Sequence, residues 1–518
     1  MSDLKKSEKY LAGLFLLGIL IFLALICVTN ILHFNYKLNA DLASDAILGR
    51  LIWESKEIIP STWYIAEETR LICTPNLTAL FYGLTHRMTL SAGLSCSAMS
   101  ILILLGALYF GRSMGFNVRE CLLFGFLCFM IPMDFVILEL FYLFASYYAI
   151  HIVILFFTLG IYIRAIKEGR LKWAPVSMTM FLALILGIQG ARGVLVLYGP
   201  LFGMEVIRHL YQWYCRKEKK KNDLFVGLWV VILLAVSFLG MLSPISVGQE
   251  LSRNIRKGFH KLLTVVCPDM GRAIGFESRF LLERVSAAML LFVALFLLAE
   301  LLYRMYRKEE IQPVEWGYLV ICSSLAVSVL MVAFTTVASS ERYYFQSVFV
   351  MAYSVVLLFR KSNLFVKFKW GIKIATCMAV ILLTATHLVD IYLPILRSEE
   401  PPVNEFYEVV QYLEENGFRM AYSTFDKANT MTVISDGEIR VAAVDSVSEM
   451  DVCKWMTSTD WYVPNVPFES ETAYIIPESK MGDFEEFLQS HEEDMRFEKQ
   501  IGEIFIYSSD YNFSRLSD

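Results

Sequence analysis

The sequence predicts an all-α bundle that crosses the membrane many times, followed by a small water-soluble α/β domain. Three observations predict it. Of 518 residues, 56% are hydrophobic and 19% charged, with a mean hydropathy of +0.52; soluble chains carry ~25% charged residues. Apolar runs near the ~20 residues that span a bilayer recur between residues 10 and 393. The charge then breaks at Pro394. Residues 394–518 hold 9 Lys/Arg and 26 Asp/Glu, whereas the preceding 393 hold 37 and 25. The expected domains are therefore a membrane domain, 1–393, and an acidic domain, 394–518. With 28 Gly and 14 Pro the chain is neither collagenous nor disordered. Its 10 cysteines form no CxxC pair, which gives no sign of a zinc module.

Eleven spans are expected, at 10–32, 90–110, 120–137, 143–163, 174–188, 193–207, 224–246, 285–303, 316–337, 345–359 and 374–393. Lys and Arg collect on the cytoplasmic side of membrane proteins. With the N-terminus inside, every short loop on that side is basic. Examples are Lys5 to Lys9, Arg164 to Lys172, the run 216–221, Arg304 to Lys308 and Arg360 to Lys373. An odd number of spans then places the acidic tail outside a bacterial cytoplasmic membrane. Two long outer loops follow, 33–89 and 247–284. In the second, Arg253, Arg256, Lys257 and Lys261 share a helical face, which fits anionic lipid heads.

The first outer loop opens Asn39-Ala40-Asp41-Leu42-Ala43-Ser44-Asp45. Asp41 and Asp45 are one helical turn apart and share a face. Asp41 stands where it can cap the helix start, and a carboxylate held there can also take a proton from a reacting hydroxyl. Trp63-Tyr64-Ile65-Ala66-Glu67-Glu68-Thr69-Arg70 adds two aromatic rings, two carboxylates and a guanidinium. Rings stack on sugar C–H faces and carboxylates take sugar hydroxyls. The same residues also suit an aromatic belt with a Glu–Arg pair. Arg192, in a Gly-Ala-Arg-Gly turn, and Arg342, ahead of Tyr343 and Tyr344, are two guanidiniums able to hold a phosphate or to snorkel to the interface.

In the tail, 403–416 and Asp483 to Gln489 read as helices. Arg419 to Tyr422, Ile439 to Val444, Ala473 to Ile476 and Ile504 to Tyr507 read as strands.

A first span followed by a long outer loop opening with acidic residues resembles the GT-C glycosyltransferases. These include the protein mannosyltransferases, the lipid A aminoarabinose transferases and the oligosaccharyltransferases. The likeness rests on Asp41–Asp45, Trp63 to Arg70, Gly190 to Arg192 and Arg342-Tyr343-Tyr344. The tail segment Tyr422 to Thr430 resembles a bacterial branch of that superfamily. The resemblance implies a hexosyl donor on a polyprenyl phosphate, used at the outer leaflet with inversion. It implies Asp41 as general base, Asp45 or Glu68 as orienting carboxylates, and Arg192 and Arg342 on the leaving phosphate. The acceptor would be a glycan, glycolipid or protein; nucleic acid is not an expected partner. Asp41 is followed by Leu42 where the mannosyltransferases carry Asp-Glu, so the choice between Asp41 and Asp45 stays open. No clear ligand set demands the divalent cation that oligosaccharyltransferases use. A flippase for a lipid-linked sugar and a polysaccharide polymerase or ligase are the alternatives. The absence of an internal repeat weighs against the flippase.

Overall fold

The structure is a computed structural model describing residues 2–66, 68–132, 134–215, 221–246, 252, 255–362, 378, 381–462 and 467–514. The chain divides into two compact units. One comprises Met1–Ile26 with Ala98–Pro394; the other comprises Cys27–Ser97 with Ile395–Asp518.

The first unit is helical. Across the described residues of the whole chain, seven helices are long and apolar enough to cross a membrane. They are Lys9–Leu32, Met88–Met114, Ala149–Glu168, Asp223–Met241, Leu281–Tyr306, Pro313–Phe334 and Glu341–Lys361. Three of the other four expected spans fall short, as the helices Val118–Met130, Trp173–Gln189 and Gly199–Tyr214, of 13, 17 and 16 residues. The span expected at 374–393 lies partly outside the described residues, and its described part belongs to Ile381–Leu396. The span expected from 143 starts at Ala149 instead, because Phe144 and Ser146 turn the chain with φ of 51° and 49°.

Proline shapes three of these helices. Widened turns at Val194–Tyr198, Leu262–Val266 and Leu388–Tyr392 each end two residues before a proline, namely Pro200, Pro268 and Pro394. A proline has no N–H for the carbonyl one turn back, so the register slips. The carbonyl freed by Pro200 is that of Val196, and it accepts the Ser324 hydroxyl at 2.6 Å. The helix core is aromatic: Phe156 lies 5.3 Å from Phe110 and 5.1 Å from Phe349, centroid to centroid. Two basic residues are absorbed by structure. Arg208 is buried and paired with Glu205 and Asp223. Lys261 donates to the carbonyls of Val332, Thr335 and Val337, closing the end of helix Pro313–Phe334. Arg256 and Lys257 are exposed, and Arg253 lies outside the described residues.

The second unit combines the first loop with the tail. Its sheet has β1 (Met420–Thr424), β2 (Arg440–Val444), β3 (Pro467–Pro477), β4 (Arg496–Ile501) and β5 (Ile504–Tyr511). The order is β2-β1-β3-β5-β4. β1 runs parallel to β2 and β3, while β5 is antiparallel to β3 and β4. Val409, Leu413, Met431, Val441, Ile475 and Ile506 belong to its hydrophobic core. The helix Glu405–Glu415 lies where the sequence indicates, and Met481–Ser490 fills the second expected position.

Candidate active site

The loop helix Ala40–Ser55 carries the acidic pair. Its cap is Asn39, whose side chain accepts the Leu42 N–H at 3.1 Å. This corrects the expectation that Asp41 caps the helix. Asp41 sits inside the first turn, exposed, where the helix dipole favours its charge. One turn on, Asp45 is 8% exposed.

Asp45 faces Arg70, with Oδ1 3.7 Å from Nη2. Its Oδ2 is buried without a hydrogen bond among the described residues. Burial pushes the Asp45 carboxyl up to about 6 from an ordinary 3.8. The Arg70 guanidinium opposes that rise, and the charges of Asp41 and Glu68 add to it. The fold thus gathers Asp41, Asp45, Glu68 and Arg70 into one electrostatic cluster. A carboxyl raised by burial beside a specific cation is a candidate for proton transfer. Cys73 adjoins the cluster, but burial raises its thiol to about 12, so it stays protonated and caps the helix Thr74–Thr85.

The aromatic pair is held by its backbone. Trp63 is buried and bridges Ser458. The Tyr64 N–H donates to Thr457 at 2.9 Å, and its carbonyl accepts from Met456 at 3.1 Å. Trp63 still lines a narrow crevice with Leu48, Ile65, Glu68 and Arg70. Glu67 lies outside the described residues.

Sequence reasoning missed the support beneath the helix. Buried Asn429 donates to the Ser44 hydroxyl at 2.7 Å and to the Met456 carbonyl at 2.9 Å. Arg50 donates to the Asp436 carbonyl at 3.2 Å. Only the Asn39 cap had a sequence signal, since asparagine is among the favoured N-caps.

Arg192, Arg342 and Tyr343 belong to the helical unit. The Arg192 guanidinium lies over the Tyr148 ring, 3.9 Å from its centroid. Arg342 is exposed on the turn Glu341–Tyr344, its Nη2 3.4 Å from the Tyr343 hydroxyl. Beside that turn Arg272 pairs with Asp269 and Glu341.

No family model and no curated protein matches the sequence. Solved structures do. ArnT from Cupriavidus metallidurans in the apo state aligns with a TM-score of 0.53 at 11% identity, over 96% of this chain and 98% of that one. Bound to undecaprenyl phosphate, it aligns at 0.55 with the same identity and coverage. The oligosaccharyltransferase of Archaeoglobus fulgidus, tethered to an acceptor peptide, aligns at 0.50 with 10% identity, over 96% of this chain and 74% of that one. Both neighbours belong to the GT-C superfamily.

The chain has the GT-C fold. At this identity the likeness concerns architecture: a membrane helix bundle carrying a small C-terminal sheet domain. In this chain the first loop and the tail share one compact unit, with the acidic pair on its loop helix.

Proposed function

We propose that this protein is a membrane glycosyltransferase that moves a sugar from a polyprenyl phosphate to an acceptor hydroxyl at the outer membrane surface, with inversion. The observation that carries the proposal is the Asp41–Asp45 pair on a capped helix, with Arg70 against Asp45, within a GT-C fold. ArnT binds undecaprenyl phosphate, and the oligosaccharyltransferase was solved with an acceptor peptide. The first of these supports a lipid-linked donor here.

In the proposed reaction, the exposed Asp41 takes the acceptor proton as the oxygen attacks the anomeric carbon. The sugar–phosphate bond breaks, and the polyprenyl phosphate leaves with the bonding pair. The family resemblance assigns its charge to Arg192 and Arg342. A single displacement inverts the centre. Asp45, held by Arg70, fixes the field at Asp41. Glu67 and Glu68 take sugar hydroxyls, and Trp63, Tyr64 and Tyr343 supply ring faces. Two guanidiniums provide the cationic charge, so the proposal includes no divalent cation, and EDTA should leave the rate unchanged.

The test is transfer from a labelled polyprenyl-phosphate sugar by purified protein in nanodiscs. Asp41→Asn should lower the rate by roughly 100-fold or more, with donor binding retained. Asp45→Asn should cause a smaller loss. Full activity in both variants would remove the base assignment. Movement of labelled lipid across vesicles without glycosidic bond formation would favour a flippase.

A further inference from the structure

The unit formed by Cys27–Ser97 and Ile395–Asp518 encloses a second cavity, of about 560 Å³. That volume lies within the range of small-molecule sites. Its lining excludes Asp41, Asp45, Glu68 and Arg70. One side is apolar. Ile31 and Leu32 end the long apolar helix Lys9–Leu32, and Leu90 lies in the first turn of Met88–Met114. This wall therefore sits where two membrane-length helices terminate.

The lining also carries polar groups that are incompletely paired. Asn35 Oδ1 and the Tyr407 hydroxyl are buried without hydrogen-bond partners among the described residues. Exposed Arg87 makes no ion pair among the described residues. Glu400 lies 3.7 Å from His33 Nδ1. The Asp436 carboxylate accepts the Met88 N–H at 2.7 Å. Burial raises the Glu400 carboxyl to about 7, so near neutral pH it both donates and accepts.

The charge balance indicates the ligand. Among the described lining residues one guanidinium, Arg87, stands with the Asp436 carboxylate and a Glu400 carboxyl that is about half ionised near neutral pH, so a phosphate would find little net attraction. Hydroxyl groups donate and accept at once, and they match a carboxyl, an amide oxygen, a phenol and a guanidinium together. We propose that this cavity binds the polyhydroxylated head of a membrane amphiphile, with its hydrocarbon against Ile31, Leu32 and Leu90. The further identification of that molecule as the acceptor rests on the glycosyltransferase reading.

Binding is measured without turnover. Full-length protein in phosphatidylcholine nanodiscs is titrated with fluorescent glucosyl diacylglycerol, phosphatidylglycerol or phosphatidylcholine. Glucosyl diacylglycerol should bind saturably and at least tenfold more tightly than phosphatidylcholine. Tyr407→Phe and Glu400→Gln should each weaken it roughly three- to tenfold, as expected for single hydrogen bonds, with unchanged melting temperature. Equal binding of phosphatidylglycerol supports the site and assigns it to glycerol hydroxyls. Glucosyl diacylglycerol no tighter than phosphatidylcholine, or unaffected by both variants, overturns it. Selective binding by a wild-type protein that transfers no sugar would defeat the reaction and leave this site standing. Transfer without selective binding would do the reverse.

Discussion

Asp45 carries a charge ill suited to its buried surroundings. Its carboxyl titrates near 6 in the folded chain against an ordinary 3.8. Between those values the folded protein keeps a proton that the unfolded chain has lost, so stability falls as pH rises through the window. The whole effect is on the order of 3 kcal/mol. Thermal melts should show a falling Tm from about pH 4 to about pH 7, the window that linkage sets, and a flatter profile in Asp45→Asn. An unchanged slope in the variant would assign the titration elsewhere. Asn429→Ala tests the support under the same helix. It takes away the donor of the buried Met456 carbonyl and leaves the Ser44 hydroxyl only its own bond to the Ala40 carbonyl, and denaturant unfolding should register a loss of about 1–3 kcal/mol. The acidic pair was legible from its one-turn spacing. The asparagine was not, because a hydrogen bond across 385 positions leaves no periodic trace. The cap was misassigned by two residues, Asn39 standing ahead of the aspartate in an equally favourable role.

Among the elements, helices Trp173–Gln189 and Lys221–Met241 approach backbone to backbone. A Cβ on Gly187 would fall on the Ser237 carbonyl. Small residues permit such close crossings, so Gly187→Val should force the helices apart at a cost of about 1–3 kcal/mol. A lowered Tm in detergent checks it. The loop helix has a similar contact: a Cβ on Gly49 would meet Thr78. In the tail, β1, β2, β3 and β5 were legible because apolar residues occupy their buried positions. β4 was not. Its Arg-Phe-Glu-Lys-Gln-Ile sequence is an edge strand with mostly exposed charged positions, the composition that discourages further pairing. The helix Phe425–Ile434 was missed for a related reason: two threonines, an asparagine and an isoleucine form helix only weakly.

At the scale of the molecule, hydropathy conveyed the membrane bundle and the charge break located the tail, next to the Ile395 at which the second unit resumes. Charge and hydropathy gave no sign that residues 27–97 join that unit. Their ties to the tail include main-chain bonds, Tyr64 to Thr457 and Met456 and Thr62 to Thr459, which composition does not encode. A chain truncated after Pro394 should therefore insert yet leave its first loop open. Limited proteolysis should cut between about residues 56 and 73, a segment with little helix of its own, as exposed irregular backbone invites. Protection equal to the full chain would show that the loop folds unaided. The discontinuity also sets a timetable. At ~5–20 residues per second of synthesis, the roughly 300 residues between Ser97 and Ile395 delay the tail by on the order of 15–60 s. For that interval the loop helix has been made and its partner has not. A lesion confined to the last quarter of the gene should accordingly be perceived by cellular quality control as a defect near its beginning.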